Sequence, residues 1–174
     1  MKKPLSVNLP YPTVKEKISD KNSIRQLSVL YAGNHGELNA ILQYTYHYFY
    51  FKRLEDEETA EILMGIAFSE MHHLEMLGTI LLKAGIDPIY ARYLPFGCNF
   101  YKTDVVSYSK TAEKMLLDDI SGELVGIDSY EKAILSINNE EIKAVLTRIK
   151  LDEELHVRAL KERLEYYCKK RTDY

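Results

Sequence analysis

Gly36-Glu37-Leu38-Asn39-Ala40-Ile41-Leu42-Gln43-Tyr44 returns later in the chain as Gly122-Glu123-Leu124-Val125-Gly126-Ile127-Asp128-Ser129-Tyr130. Five of the nine positions are identical, and a glutamate is one of them. Each copy is followed about one helix length later by a Glu-x-x-His: Glu70 and His73 after the first, Glu153 and His156 after the second. A repeat of this kind reads as one structural unit used twice. One Glu-x-x-His means little in a chain with 17 glutamates, but two of them in register with a repeat define a pattern.

Working outward, apolar residues recur at steps of three and four through four segments. Residues 23–53 predict a helix with Leu27, Leu30, Asn34, Glu37, Ile41, Tyr44, Tyr48 and Phe51 facing inward, and with Ser23 as cap. Residues 57–84 put Leu63, Ile66, Glu70, His73, Leu77 and Ile80 on one stripe, and Gly85 with Asp87-Pro88 ends that helix. Residues 107–137 place Leu116, Ile120, Glu123, Ile127, Tyr130 and Ile134 inward, and residues 140–167 do the same for Ile142, Leu146, Ile149, Glu153, His156 and Leu160. The first and last joints are short, so each pair should form an antiparallel hairpin. The middle joint, residues 86–106, is long. A helix of about 28 residues spans about 42 Å, and 20 extended residues reach about 65 Å, so this joint can cross the whole bundle. We therefore expect an all-α four-helix bundle of two antiparallel hairpins joined by a long crossover. It divides into an N-terminal arm (1–22), a bundle (23–167) and a tail (168–174).

A glutamate on an apolar stripe must be explained, because an isolated buried carboxylate is very costly unless paired, protonated or bound to a cation. Here each of four helices carries one such glutamate, and two histidines lie three residues after two of them. Glu and His at that spacing share a helix face. Four carboxylates balance two divalent cations, and without cations they should raise one another's pKa. Glu37, Glu70, His73, Glu123, Glu153 and His156 are accordingly the candidate metal ligands.

One glutamate from each of two helices and a Glu-x-x-His from each of the other two resembles the ferritin-like di-iron/di-manganese carboxylate superfamily over residues 23–167. The resemblance implies two metal ions per chain, iron or manganese. It implies that Glu70 and Glu153 bridge them, that Glu37 and Glu123 are terminal, and that His73 and His156 each bind one. Asp152-Glu153-Glu154-Leu155-His156 resembles rubrerythrins, which carry a further glutamate where this chain has Gly126 and often a rubredoxin module that it lacks. Gly36-Glu37-Leu38 and His73-Leu74-Glu75-Met76 resemble manganese catalases and their spore-coat relatives, and the symmetric ligand set also suits bacterioferritin-like sites. The implied activity is that of an oxidoreductase acting on hydrogen peroxide or dioxygen, with an external electron donor if the metal is iron. The alternative is a ferroxidase and iron-storage protein of the bacterioferritin type.

Other residues divide around that centre. Tyr44 and Tyr130, each seven residues after a stripe glutamate, can bond ligand carboxylates from behind, including one supplied by another helix. Asp119, one turn before Glu123, could orient a ligand histidine. His35 and His47 fall off the stripe and read as surface residues, while His72 and Glu154 point away by about 100°. The aromatic run from Tyr44 to Phe51 predicts burial on more than one side of its helix and suggests a homodimer contact. Cys98 and Cys168 form no Cys-x-x-Cys pair and read as free thiols. The net charge of −3 argues against nucleic acid or an anionic membrane as partner. The first residues hold no 7–15-residue apolar run and no segment of 18 apolar residues exists, so we expect a cytoplasmic protein.

Overall fold

The computed structural model of the chain describes residues 3–15 and 18–172, so parts of the proposed arm (1, 2, 16, 17) and tail (173, 174) lie outside the described residues. Five helices are present: α1 (Lys21–Ala32), α2 (Glu37–Arg53), α3 (Glu57–Lys83), α4 (Ala112–Ser136) and α5 (Glu140–Thr172). Helices α2 to α5 form the bundle. Glu37 at the start of α2 meets His73 well along α3, while Lys52 at its end pairs with Glu57, so these two run antiparallel. Lys150 of α5 reaches Glu131 of α4 at 3.1 Å and His156 reaches Glu123 at 3.6 Å, which gives the second antiparallel pair.

The single helix expected over 23–53 is two helices. Gly33 ends α1, its N–H bonding Val29 O at 2.8 Å, and Gly36 opens α2. A Cβ at Gly33 would lie 2.3 Å from Val29 O, and one at Gly36 would lie 2.3 Å from Leu30 O. Only glycines let the turn fold back this closely on the end of α1. Asn34, expected on the inward stripe, is exposed on this turn. The cap of α1 is Asp20, which accepts from the Asn22 and Ser23 N–H groups, so Ser23 is capped rather than capping. Helix α3 ends as expected, with Gly85 at φ 75 just past it.

The crossover from α3 to α4 carries a two-residue strand pair, Ala91–Arg92 with Asn99–Phe100, and a 3-10 turn at Thr103–Val105. Helix α4 begins at Ala112, later than expected, with Thr111 as its cap. Ser107 is tied down instead: its N–H donates to Gln43 Oε1 (2.9 Å), its carbonyl faces His47 Nε2 (3.0 Å), and its hydroxyl bonds Asp118.

Two apolar clusters fill the bundle. One joins Leu27 and Leu30 to Leu77, Leu81, Ile137, Ile142 and Leu146. The other joins Phe51 to Leu63, Ile66, Met115, Leu116 and Leu160. Along α3, α4 and α5 the stripe glutamate falls between the two clusters, and Glu37 opens α2 where α1 supplies the first cluster, so the polar layer has hydrocarbon above and below.

Candidate metal centre

All six candidate ligands are buried, with His73 and His156 at 0 % exposure. The structure brings them together as two sets of four: Glu37, Glu70, His73 and Glu153, and Glu70, Glu123, Glu153 and His156. Within each set one ligand atom per residue lies within 4.8 Å of the others, and Glu70 and Glu153 belong to both. The arrangement is reciprocal. His73 Nδ1 lies 3.2 Å from Glu70, 3.2 Å from Glu153 and 3.6 Å from Glu37. His156 Nδ1 lies 3.0 Å from Glu70, 3.6 Å from Glu153 and 3.6 Å from Glu123. The Tyr44 hydroxyl donates to Glu123 Oε1 and the Tyr130 hydroxyl to Glu37 Oε1, so each tyrosine holds the carboxylate of the opposite hairpin.

Burial and mutual repulsion divide the charge unevenly. Burial, then repulsion from Glu70, pushes the Glu37 carboxyl well above the usual range; burial and Glu153 do the same to Glu123. Burial would raise Glu70 and Glu153 too, but hydrogen bonds from neighbouring carboxyls and histidines hold both below the usual range. Against the pull of burial, Glu70 holds His73 well above 6.5, and Glu123 does so for His156. The expectation that clustering raises every glutamate therefore holds for two of them; the other two pass the burden to the histidines. Without cations these shifts favour the protonated forms of Glu37, Glu123, His73 and His156, which would offset the charge of Glu70 and Glu153.

The fit to metal ions can be tested on the polar atoms themselves. Among the described residues, five buried side-chain atoms make no hydrogen bond of good geometry: Arg148 Nη1, which pairs with Asp152, and Glu70 Oε1, Glu123 Oε2, Glu153 Oε1 and His156 Nδ1 of the cluster, where His156 Nδ1 and Glu70 Oε1 face each other at 3.0 Å. The last four come from three helices and are oxygen and imidazole nitrogen, the donor types that suit manganese and iron.

Several residues differ from the sequence reading. His47 is not on the surface: it is fully buried, and its Nδ1 lies 2.9 Å from both oxygens of Asp119. Asp119 accordingly serves His47 and Gln43 (2.8 Å), and makes no bond to His73 or His156. The carboxylate that does hold a site histidine is Asp152, at 3.1 Å from His73 Nε2, which the sequence reading passed over. Burial would raise the Asp152 carboxyl, but bonds from His73, Tyr11 and Arg148 hold it well below the usual range. His35 is exposed, His72 pairs with Glu75 at 3.4 Å, and Glu154 pairs with Lys150 at 3.6 Å, all outside the centre. A cavity of about 30 Å³ reaches the glutamates between α2 and α4, past Gly36, Ala40, Gly122 and Gly126, with exposed His35 at its rim.

The helical bundle has the ferritin-like fold. The family model for manganese containing catalase matches residues 7–87, just under half of the chain. The structure is similar to wild-type KatB, a manganese catalase from Anabaena, with a TM-score of 0.78 and 21% identity over 97% of this chain and 80% of that one. A second structure of KatB, from Anabaena PCC7120, gives a TM-score of 0.81 and 21% identity over 92% of this chain and 79% of that one. No curated protein matches the sequence.

Proposed function

We propose that the protein binds two manganese ions in this layer and disproportionates hydrogen peroxide. The observation that carries the reading is the pair of four-residue sets sharing Glu70 and Glu153. Two adjacent ion sites that use two carboxylates in common are what a dinuclear centre requires. Glu70 and Glu153 would be shared by the two ions, Glu37 and Glu123 would each hold one, and His73 and His156 would each serve one through Nδ1.

When bound, the ions supply a two-electron couple and Lewis-acid positions for the two oxygens of a peroxide. The protein's own residues supply the rest. Tyr44 and Tyr130 engage one oxygen of each terminal glutamate, so Glu123 Oε2 remains free toward the centre. The apolar clusters on either side exclude bulk water. The small residues between α2 and α4 leave a cavity of about 30 Å³, more than the roughly 10–15 Å³ that one water needs, which suits a small substrate such as peroxide.

Manganese is favoured over iron by the family match and by the two similar structures, both named manganese catalases. Disproportionation also needs no external donor, because one peroxide reduces the other: two H₂O₂ give two H₂O and one O₂. Nothing among the matches favours the ferroxidase and storage alternative. The cytoplasm is the compartment we propose: Cys98 and Cys168 are unpaired thiols, and among the described residues no helix is long and apolar enough to cross a membrane. A homodimer contact through α2 is supported by Phe49, 64% exposed on the aromatic run, and sedimentation measurements would test it. The main reading is tested by metal analysis of the purified protein together with oxygen evolution from peroxide. Two manganese per chain with oxygen release is expected; two irons with no oxygen release would replace it.

A further inference from the structure

Both histidines of the layer are engaged at Nε2 by the N-terminal arm, one directly and one through a residue that the arm holds. His156 Nε2 lies 2.8 Å from Leu5 O, which also accepts from Ser69 Oγ at 2.8 Å. His73 Nε2 lies 3.1 Å from Asp152 Oδ2. Asp152 in turn accepts from the Val7 N–H (2.7 Å) and the Tyr11 hydroxyl (2.5 Å), and pairs with Arg148 at 2.8 Å. Arg148 donates back to Val7 O (2.6 Å) and Leu9 O (3.1 Å), with its guanidinium 4.1 Å from the centre of the Tyr11 ring. The arm is pinned to α3 as well, by the Leu5 N–H on Gly65 O at 2.9 Å. Residues 5–11 thus cross α3 and α5 on the side of the bundle from which both Glu-x-x-His motifs project.

A backbone carbonyl only accepts, so Nε2 of His156 must be the protonated nitrogen. Asp152, already taking hydrogen bonds from a backbone N–H and a phenol beside a guanidinium, also acts as an acceptor toward His73. A neutral imidazole protonated at Nε2 carries its lone pair on Nδ1, and on both rings Nδ1 faces the glutamates. We propose that residues 5–11 form a strap that fixes both site histidines in this orientation and thereby sets how long the metal ions stay bound. The proposal rests on the two-metal reading above. Leu5, Val7, Tyr11 and Asp152 are positioning residues: they act through the histidines. Outer partners of this kind typically change metal affinity by about 10- to 100-fold when removed.

The test uses the full-length protein loaded with Zn²⁺, a diamagnetic probe for the same sites. Leu5→Pro with Val7→Pro deletes the two arm N–H groups that bond Gly65 and Asp152, in a segment outside any helix or strand. Tyr11→Phe removes only the hydroxyl on Asp152. Long-range proton–nitrogen NMR should show Nδ1 as the metal-bound nitrogen of both histidines in the wild type. Zinc release to a chelator should be about tenfold faster or more in the double proline variant. In Tyr11→Phe, release should be about threefold faster for one ion and unchanged for the other. Equal release from wild type and a fully helical double variant overturns the strap while leaving the metal centre standing, as does metal bound through Nε2. Should the double variant lose helicity, unchanged release from Tyr11→Phe overturns the strap. Failure of the wild type to take up zinc overturns the strap and the metal reading together.

Discussion

The glutamate-histidine layer has two unlike sides. On the α3–α5 side each helix contributes a glutamate and a histidine, and the N-terminal arm lies across both with a dense set of hydrogen bonds. On the α2–α4 side each helix contributes a glutamate and a tyrosine, glycine and alanine line the gap, and a cavity leads outward. Nothing stands within 4 Å of a Cβ placed on Gly122 or Gly126. The twofold character of the ligands is therefore not carried into their surroundings. One side holds the ligands in place; we read the other as the side on which substrate arrives.

The sharpest way to break this comparison is to remove a shared ligand. Glu70→Ala and Glu153→Ala should each abolish binding of both ions and reduce oxygen release to background, as measured by metal analysis and an oxygen electrode. Glu154→Ala should keep two ions and full activity, since Glu154 pairs with Lys150 outside the layer. Loss of metal in Glu154→Ala with retention in Glu153→Ala would mean that the register of α5 is misassigned.

Closing the open side should separate substrate approach from metal binding. Gly126→Val places methyl groups in the gap beside Glu123, where nothing stands within 4 Å of an added Cβ. We expect two ions still bound, a melting temperature within a few degrees of wild type, and kcat/KM lower by about tenfold, equivalent to about 1.4 kcal/mol. Unchanged kinetics would place substrate approach elsewhere.

The tyrosines test the symmetry within the open side. Tyr44→Phe and Tyr130→Phe each leave one buried carboxylate oxygen without its donor, at a cost of about 1–3 kcal/mol. The two should weaken metal retention by similar factors, read by chelator competition. A large effect from one and none from the other would show that the reciprocal contacts are not equivalent in function.

A smaller effect is expected from pH on the metal-free protein. Glu37, Glu123, His73 and His156 all have raised folded-state pKa values, so their contribution to stability is complete below the unfolded values of 4.5 and 6.5. It is lost as pH rises through the raised values. Glu70 and Glu153 are shifted the other way: their contribution is present above 4.5 and is lost only in acid. Metal-free protein should consequently melt at a lower temperature at pH 9 than at pH 6. Metal-loaded protein should not follow this trend, because the ions replace the protons.

The bundle and its six central residues were legible because both follow helix periodicity, which a sequence displays directly, and because the repeat shows the motif twice. The break between α1 and α2 was hidden by the same periodicity. Leu30, Asn34 and Glu37 continue the stripe, although Gly33-Asn34-His35-Gly36 is a turn signal in plain view. His47 was misplaced because it falls off the stripe that carries Glu37. The crossover returns at Ser107 to bury a second face, a possibility the aromatic run had signalled. Asp152 and the arm left no such trace. Their bonds join residues about 140 positions apart, several through backbone atoms, and no spacing rule reports those.

The central claim is that two divalent cations occupy a layer whose charge is otherwise offset by bound protons. Burial and neighbouring charge favour the protonated forms of Glu37, Glu123, His73 and His156. Calorimetric titration of metal-free protein with Mn²⁺ near pH 6, repeated in buffers of different ionisation enthalpy, counts ions and released protons in one experiment. The account predicts two manganese ions per chain with net release of protons. Binding of a single ion, or of two ions without proton release, would contradict it.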